Sequence, residues 1–326
     1  MSDARPVAVV LGVDASDRPP HLEALEDRIE LRVTGSDGLT EALTDARVLL
    51  LWDFFSTAVR EAWPHCRDLE WIHVAAAGVD TLLFPELVAA PVVVTNARGT
   101  FDRPIAEFVL ASVLAHAKRV HESHDLQLNR EWRHRETRAI GGATALVVGT
   151  GAIGREIAGL LRAAGMEVRG AGRRPTTDDP DFGTVVDSGD LPAAVPWADY
   201  VVNATPLTAA TTGLFDAAVF RAMRRTAHLV NIGRGPSVVE TDLLEALGSG
   251  WLDGASLDVF ATEPLPSDSP LWDAPGLVVS AHMSGDVVGW RDTLAQQFVE
   301  NAERWLSGED LVNVVDKELG YVRTPT

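Results

Sequence analysis

The chain has 326 residues, of which 46% are hydrophobic and 23% charged, and carries a formal net charge of −19. These proportions exclude a disordered or membrane-embedded chain, and the length exceeds what one hydrophobic core usually organises, so two domains are expected. The negative field repels nucleic acid and anionic membranes alike, and neither is expected as a partner.

From the N-terminus, short β-branched runs alternate with Ala/Leu/Glu-rich helical stretches, the pattern of βα units stacked on parallel sheets. Met1 to Pro6 runs straight into the first strand without the build of a signal peptide. The first series reads as strand Val7–Val13, helix His21–Ile29, strand Leu31–Thr34, helix Leu39–Asp45 and strand Val48–Trp52. A helix over Ser56–Trp63 and strands Trp71–Val74 and Val92–Asn96 follow. Ile105, Phe108, Val109, Ser112, Val113 and His116 recur at helical spacing and predict one helix over Asp102–His121. A polar stretch, Glu122–Arg138, then carries Trp132 among charges, which reads as an arm that packs on something else, a second subunit being the natural candidate.

The second series comprises strand Ala145–Val148, helix Ala152–Ala164, strands Glu167–Ala171 and Tyr200–Ala204, helix Ala217–Met223 and strand His228–Ile232. Helix Glu240–Gly248, strands Gly254–Val259 and Leu277–Ser280, helix Asp292–Leu306 and a short tail, Val312–Val322, complete it. The fold class is α/β, with two Rossmann/flavodoxin-like doubly wound parallel-sheet domains. No apolar run approaches the roughly 18 residues a membrane span needs. The single cysteine, Cys66, excludes an intramolecular disulfide and fits a reducing, cytoplasmic location. His116, His121, His124 and His134 cluster in sequence, but no cysteine accompanies them and they fall on a helix end and a charged arm; no metal site is expected.

Gly149-Thr150-Gly151-Ala152-Ile153-Gly154 stands between a strand and a helix. The first glycine of G-x-G-x-x-G permits the tight turn, the second lets backbone approach a diphosphate and the third lets helix and strand pack, with the anion at the helix N-terminus. The next strand decides which dinucleotide binds. An NAD site ends it with Asp or Glu to accept from the ribose hydroxyls; here Gly172 stands at that position, followed by Arg173 and Arg174. A missing carboxylate and a pair of guanidinium groups favour NADP(H) over NAD(H).

Three later strands end in polar groups. Reduction of a 2-keto acid needs a cation for the substrate carboxylate and carbonyl, an acid for the forming alkoxide, and a carboxylate that orients that acid. Arg234 in Asn231-Ile232-Gly233-Arg234-Gly235, His282 in Ser280-Ala281-His282-Met283-Ser284-Gly285, and Glu263 in the segment Asp258–Pro266 supply these roles. Trp52, Phe54, Phe101 and Trp290 fall near element ends and read equally as pocket or core.

These segments, with Ala75–Asp80, Thr95–Gly99, Ala106–Leu110 and Thr205-Pro206-Leu207-Thr208, follow in order and at family spacing. Over nearly its whole length the chain resembles the D-isomer-specific 2-hydroxyacid dehydrogenases, the glyoxylate/hydroxypyruvate reductases among them. The resemblance implies a cofactor domain (100–286) inserted into a substrate domain built from both chain ends (1–99 and 287–326), usually as a homodimer. It implies that Arg234 and His282 bind substrate, with His282 as acid/base and Glu263 as its partner. It also implies that backbone N–H groups around Ala77 and Gly78 receive the substrate carboxylate. Asp258 would hold the nicotinamide carboxamide, while Thr205, Pro206, Ile232 and Gly233 line the cofactor cleft. Thr205 stands where the family often has Leu or Val, and Gly172 where it has the ribose-binding acid. No regulatory extension is expected after Thr326. Two other readings stay open: a non-catalytic dinucleotide-sensing regulator on the same fold, and a phosphite dehydrogenase-like enzyme, which shares the Arg/Glu/His set.

Overall fold

The computed structural model describes residues 5–323. The chain divides into two compact units, Met1–Phe101 with Val287–Thr326, and Asp102–Asp286.

In the first unit, β1 (Val7–Leu11), β2 (Glu30–Thr34), β3 (Ala46–Leu51), β4 (Trp71–Val74) and β5 (Val93–Asn96) form an all-parallel sheet in the order β2-β1-β3-β4-β5. Helices α1 (Leu39–Ala42), α2 (Ala58–Ala62) and α3 (Pro85–Ala89) connect them. This is the flavodoxin-like strand order. β1 and β4 are buried at every residue, as strands covered on both faces must be, which is why they read as unbroken apolar runs. The C-terminal helix, Trp290–Ser307, returns to this sheet: Phe298 stacks on Trp71 with ring centroids 5.3 Å apart. Phe54 and Phe101 each lie about 6 Å from the Trp290 ring, at 6.3 and 6.1 Å.

The second unit holds α4 (Asp102–Ala117), α5 (Val120–Leu128), β6 (Thr144–Val148), α6 (Ala152–Ala163), β7 (Glu167–Gly172), β8 (Thr176–Asp179), β9 (Gly183–Asp187) and α7 (Leu191–Ala194). β10 (Tyr200–Asn203), α8 (Ala217–Ala222), β11 (His228–Asn231), α9 (Glu240–Gly248), β12 (Gly254–Leu257) and β13 (Leu277–Val279) follow. The sheet order is β13-β12-β11-β10-β6-β7-β9-β8, parallel except for β8. The chain reverses its direction of travel across the sheet between β6 and β10, and open α/β sheets bind ligands at that switch point, outside the carboxyl ends of the strands. α6 buries Gly154, Ile157, Ala158 and Leu161, one face at i, i+3, i+4 and i+7. No described helix is long and apolar enough to cross a membrane.

Several expected elements differ. The helix expected over Asp102–His121 is two helices, broken where Arg119 takes a left-handed φ of 52°. The chain that returns after the arm fixes the break: Arg138 N–H donates to Ala117 O (3.0 Å), and Lys118 Nζ donates to Arg138 O (2.7 Å). The polar stretch is therefore helical to Leu128 and irregular only beyond it. The expected helix His21–Ile29 closes a single 3-10 turn, Leu22–Leu25, because β2 must begin at Glu30. The strand expected over Val7–Val13 stops at Leu11. The β8–β9 hairpin was not read from the sequence, although Asp179-Pro180-Asp181-Phe182-Gly183 carries turn residues between short β-prone runs. Arg155 of α6 pins it, forking onto both oxygens of Asp179 at 2.9 Å.

Candidate active site

β6, β10, β11, β12 and β13 are parallel neighbours, so the loops leaving their carboxyl ends share one edge of the sheet. The first is the glycine loop. Gly149 has φ 108°, and a Cβ there would stand 2.6 Å from Ala204 O; a Cβ on Gly154 would stand 1.9 Å from Gly149 O. Both positions exclude any side chain. Gly151, the N-cap of α6, faces open space, with nothing within 4 Å of a Cβ placed on it, and the first turn of α6 has no acidic residue. The first N–H groups of a helix have no partner within it, so an anion fits this cradle by room, by hydrogen bonding and by the helix dipole. Arg173 and Arg174 lie exposed in the turn between β7 and β8.

The loops after β10 and β11 are tied together beneath the surface. Asn203, Asn231 and Ser237 are fully buried. Asn203 Nδ2 donates to Asn231 Oδ1 (2.9 Å) and to Ser237 Oγ (2.6 Å), while Asn203 Oδ1 accepts from Thr205 N and Oγ1, and Asn231 Oδ1 accepts from Gly233 N. Gly235 lies so close to the next loop that a Cβ would stand 1.9 Å from Phe260 O. Arg234 is therefore carried on a segment clamped on both sides. Its side chain is part-buried, with Nη1 donating to Gly233 O at 2.8 Å. Ile232 and Thr205 are each 7% exposed, and Pro206 is exposed.

The loops after β12 and β13 carry Glu263 and His282. His282 Nδ1 lies 2.7 Å from Glu263 Oε2, with both side chains only partly exposed, at 33% and 26%. Glu263 Oε1 accepts from Phe260 N–H at 2.8 Å. Burial pushes the Glu263 carboxyl up, but the hydrogen bonds from His282 and Phe260 and the charges of His282 and Arg234 outweigh it. They hold the group below the usual carboxylate range. A carboxylate held ionised beside Nδ1 favours that nitrogen as the donor and leaves Nε2 outside the pair.

Asp258 has a structural use that the sequence did not disclose. It is 1% exposed, and its carboxylate accepts from Ser280 Oγ (2.6 Å), Met283 N (3.0 Å) and Ser284 N (3.0 Å). Its own carbonyl accepts from His282 N (2.8 Å). His282 sits at φ 51°, an uncommon conformation for a side chain other than glycine, and Asp258 supplies the hydrogen bonds that hold that turn. Asp286 is a further group missed in the sequence. Burial raises its pKa, the nearby charge of Asp258 adds to the rise and that of His282 opposes it, so it lies within electrostatic reach of both. In the first unit, Ala77 and Gly78 occupy the loop leaving β4, where Asn96 Nδ2 donates to Ala77 O. Among the described residues no group of three or more His, Cys, Asp or Glu is arranged to hold a metal ion.

A doubly wound unit with an anion cradle at its switch point, and an imidazole–carboxylate pair with an arginine along the same sheet edge, has the make-up of a dinucleotide-dependent oxidoreductase. Residues 110–284 match the family described as D-isomer specific 2-hydroxyacid dehydrogenase, NAD binding domain. The chain is 30% identical over 262 residues, 78% of its length and 82% of the relative's, to a glyoxylate/hydroxypyruvate reductase A of Yersinia enterocolitica. Among solved structures, a D-isomer specific 2-hydroxyacid dehydrogenase family protein from Aeromonas salmonicida superposes with a TM-score of 0.83 at 30% identity, covering 96% of this chain and all of the other. An NADPH-dependent glyoxylate/hydroxypyruvate reductase from Sinorhizobium meliloti, solved with NADP and sulfate, gives 0.82 at 28% identity, over 97% of this chain and all of the other. The chain belongs to the D-isomer specific 2-hydroxyacid dehydrogenase family and is an NAD(P)-dependent dehydrogenase.

Proposed function

We propose that the protein reduces a small 2-keto acid of the glyoxylate/hydroxypyruvate class and prefers NADPH. The observation that carries this reading is the 2.7 Å contact between His282 and Glu263 on the sheet edge that also holds Arg234 and the glycine cradle. A dinucleotide bound along Gly149, Gly151, Ala152, Ile153 and Gly154, with Thr205, Pro206, Ile232 and Gly233 lining its cleft, supplies the hydride. Arg234 binds the substrate carboxylate and polarises its carbonyl with a planar cation, and the backbone around Ala77 and Gly78 receives the carboxylate. His282, protonated and oriented by Glu263, gives its Nε2 proton to the carbonyl oxygen as negative charge develops there. With three acceptor sites used by Ser280, Met283 and Ser284, Asp258 retains about one more for a carboxamide donor.

Arg173 and Arg174 beside the acid-free end of β7 favour a 2′-phosphate, as does the family likeness to a reductase solved with NADP. Trp132 is fully exposed, and Leu128 is 68% exposed just before it, a surface that an assembled homodimer would cover. The free thiol of Cys66, raised to about 11 by burial, is inert and in keeping with a cytoplasmic protein. Turnover of a panel of 2-keto acids with NADPH and NADH in parallel is the test. Oxidation of NADPH by glyoxylate or hydroxypyruvate, faster than that of NADH, is the expected result. Tight dinucleotide binding without turnover of any 2-keto acid would overturn the reading.

A further inference from the structure

The end of β7 is crowded at position 172. Gly170 and Gly172 are two residues apart on the strand and face the same side of the sheet. The side chain of Thr150, from the middle of the glycine loop, lies over both. A Cβ on Gly172 would stand 3.0 Å from Thr150 Oγ1 and 3.1 Å from its Cγ2; a Cβ on Gly170 would stand 3.1 Å from Cγ2 and 2.9 Å from the Phe182 ring. The backbone of Gly172 is not left-handed, so the obstacle to a side chain there is space and not conformation.

Thr150 has little room to give way. The loop that carries it is tethered to β7 itself, Gly149 N–H donating to Ala171 O at 2.9 Å, and it is pressed on its other side against Ala204. Threonine is also stiff about χ1, because two heavy atoms branch at its Cβ.

We infer that Thr150 is a specificity-determining residue of the dinucleotide site: its side chain lies against the place where the Cβ of a ribose-binding acid at position 172 would stand, so an acid there must displace it and the two positions are coupled. The inference rests on the reading that the adenosine ribose lies beside the end of β7. With Thr150 in place, the end of β7 carries a hydroxyl and two arginines, a donor-rich surface suited to phosphate oxygens, while Asp187, in register with Gly172 on β9, turns its carboxylate to Gly189 N–H. An acid restored at 172 is therefore accommodated better when Thr150 is also shortened.

The test is a double-mutant cycle on the full chain with Gly172→Asp, Thr150→Ala and their combination, read by melting temperature and by NADPH and NADH dissociation constants from protein fluorescence. Gly172→Asp alone should lower the melting temperature and weaken both dinucleotides by a similar factor. The double variant should recover the melting temperature and shift the preference toward NADH by roughly ten- to hundredfold relative to Thr150→Ala, the effect of one charge-assisted hydrogen bond. Gly172→Ala adds only the Cβ and gives the same test in stability: its loss should vanish in the Thr150→Ala background. If Gly172→Asp melts with the wild type and switches preference unaided, the pair is not coupled and the inference falls. The wild-type ratio of NADPH to NADH affinity bears separately on the proposed cofactor. An NADH-preferring wild type with strong coupling in the cycle would overturn that proposal and leave the pair standing.

Discussion

Opposite edges of the sheet in the second unit each carry a histidine site, and the two are built in opposite ways. At the carboxyl edge His282 is part-exposed, with Glu263 2.7 Å from Nδ1. At the amino edge His116 of α4 stacks on His228, the first residue of β11, with ring centroids 4.3 Å apart. His228 is 2% exposed; its Nε2 meets Ser256 Oγ at 2.9 Å, while Nδ1 is buried without a partner. Burial, foremost, with the neighbouring His116 and His121 adding to it, pushes His228 well below its ordinary range. The first arrangement sets an imidazole against a lowered carboxylate at a partly exposed site, and the second holds a neutral ring as packing. An ionised partner and a path to solvent are what the acid proposed at His282 has and His228 lacks; depth alone makes a histidine a hydrophobe.

Removing the imidazole at the carboxyl edge is the strongest test of this contrast. His282→Gln should lower kcat by roughly 10²–10⁴-fold while the dinucleotide dissociation constant stays near wild type. Retained turnover would assign the proton to another group and dissolve the distinction between the two edges. Arg234→Lys should follow, raising KM and lowering kcat together, with kcat/KM down roughly ten- to hundredfold, because a point charge does not reproduce a planar fork on a carboxylate. Steady-state kinetics with a 2-keto acid check this, and a change in KM alone would confine Arg234 to ground-state binding.

Asp258 tests whether the carboxyl edge needs its turn held. Asp258→Asn keeps one acceptor but puts an N–H₂ in place of one oxygen, against either Ser284 N–H or the Met283 N–H and Ser280 hydroxyl pair. It should lower stability by about 1–3 kcal/mol and reduce kcat more than it raises KM, since His282 then loses its orientation. Thermal unfolding monitored beside kinetics separates the outcomes: lost stability with intact kcat would make Asp258 a purely structural brace.

How much of this was legible in the sequence follows from the range of each interaction. The parallel sheets were, because strands covered on both faces must be apolar throughout, and Val7–Leu11 and Ala145–Val148 are. Arg234, Glu263 and His282 were legible as polar residues placed just after strands. What holds them was not. The Asn203–Asn231–Ser237 network joins residues 28 and 34 positions apart, and Asp258 reaches donors 22 to 26 positions away. No local pattern records such pairings. The break at Arg119 is of the same kind, fixed by Arg138 returning to Ala117. The proposed coupling of Thr150 to Gly172 joins a loop to the end of the next strand, and only the missing acid at 172 hinted at it.

The smallest expected effect lies at the amino edge and appears in stability, not in turnover. Burial, foremost, together with the charges of Arg138 and Arg119, lowers His116 against the opposing pull of Asp253, whose Oδ2 lies 3.0 Å from Nε2; Tyr200 OH is 3.3 Å from Nδ1. His116 and His228 therefore bind protons less readily folded than unfolded, where the ordinary value is 6.5. The unfolded chain takes up more protons as pH falls below that value, so the stability contributed by neutral rings is complete above about pH 6.5 and is lost progressively below it, by at most about 1.4 kcal/mol per pH unit per histidine. Glu263 and Asp179, both lowered, act in a separate window, since their contribution persists until pH falls below the carboxylate range. His116→Phe keeps an aromatic ring against His228 and removes one titrating group. Calorimetric melts of wild type and variant between about pH 7.5 and pH 5 should show a shallower loss of melting temperature in the variant, with kcat at neutral pH unchanged. Equal slopes would mean that His116 titrates alike in the folded and unfolded chain, and the contrast between the two edges would then rest on His228 alone.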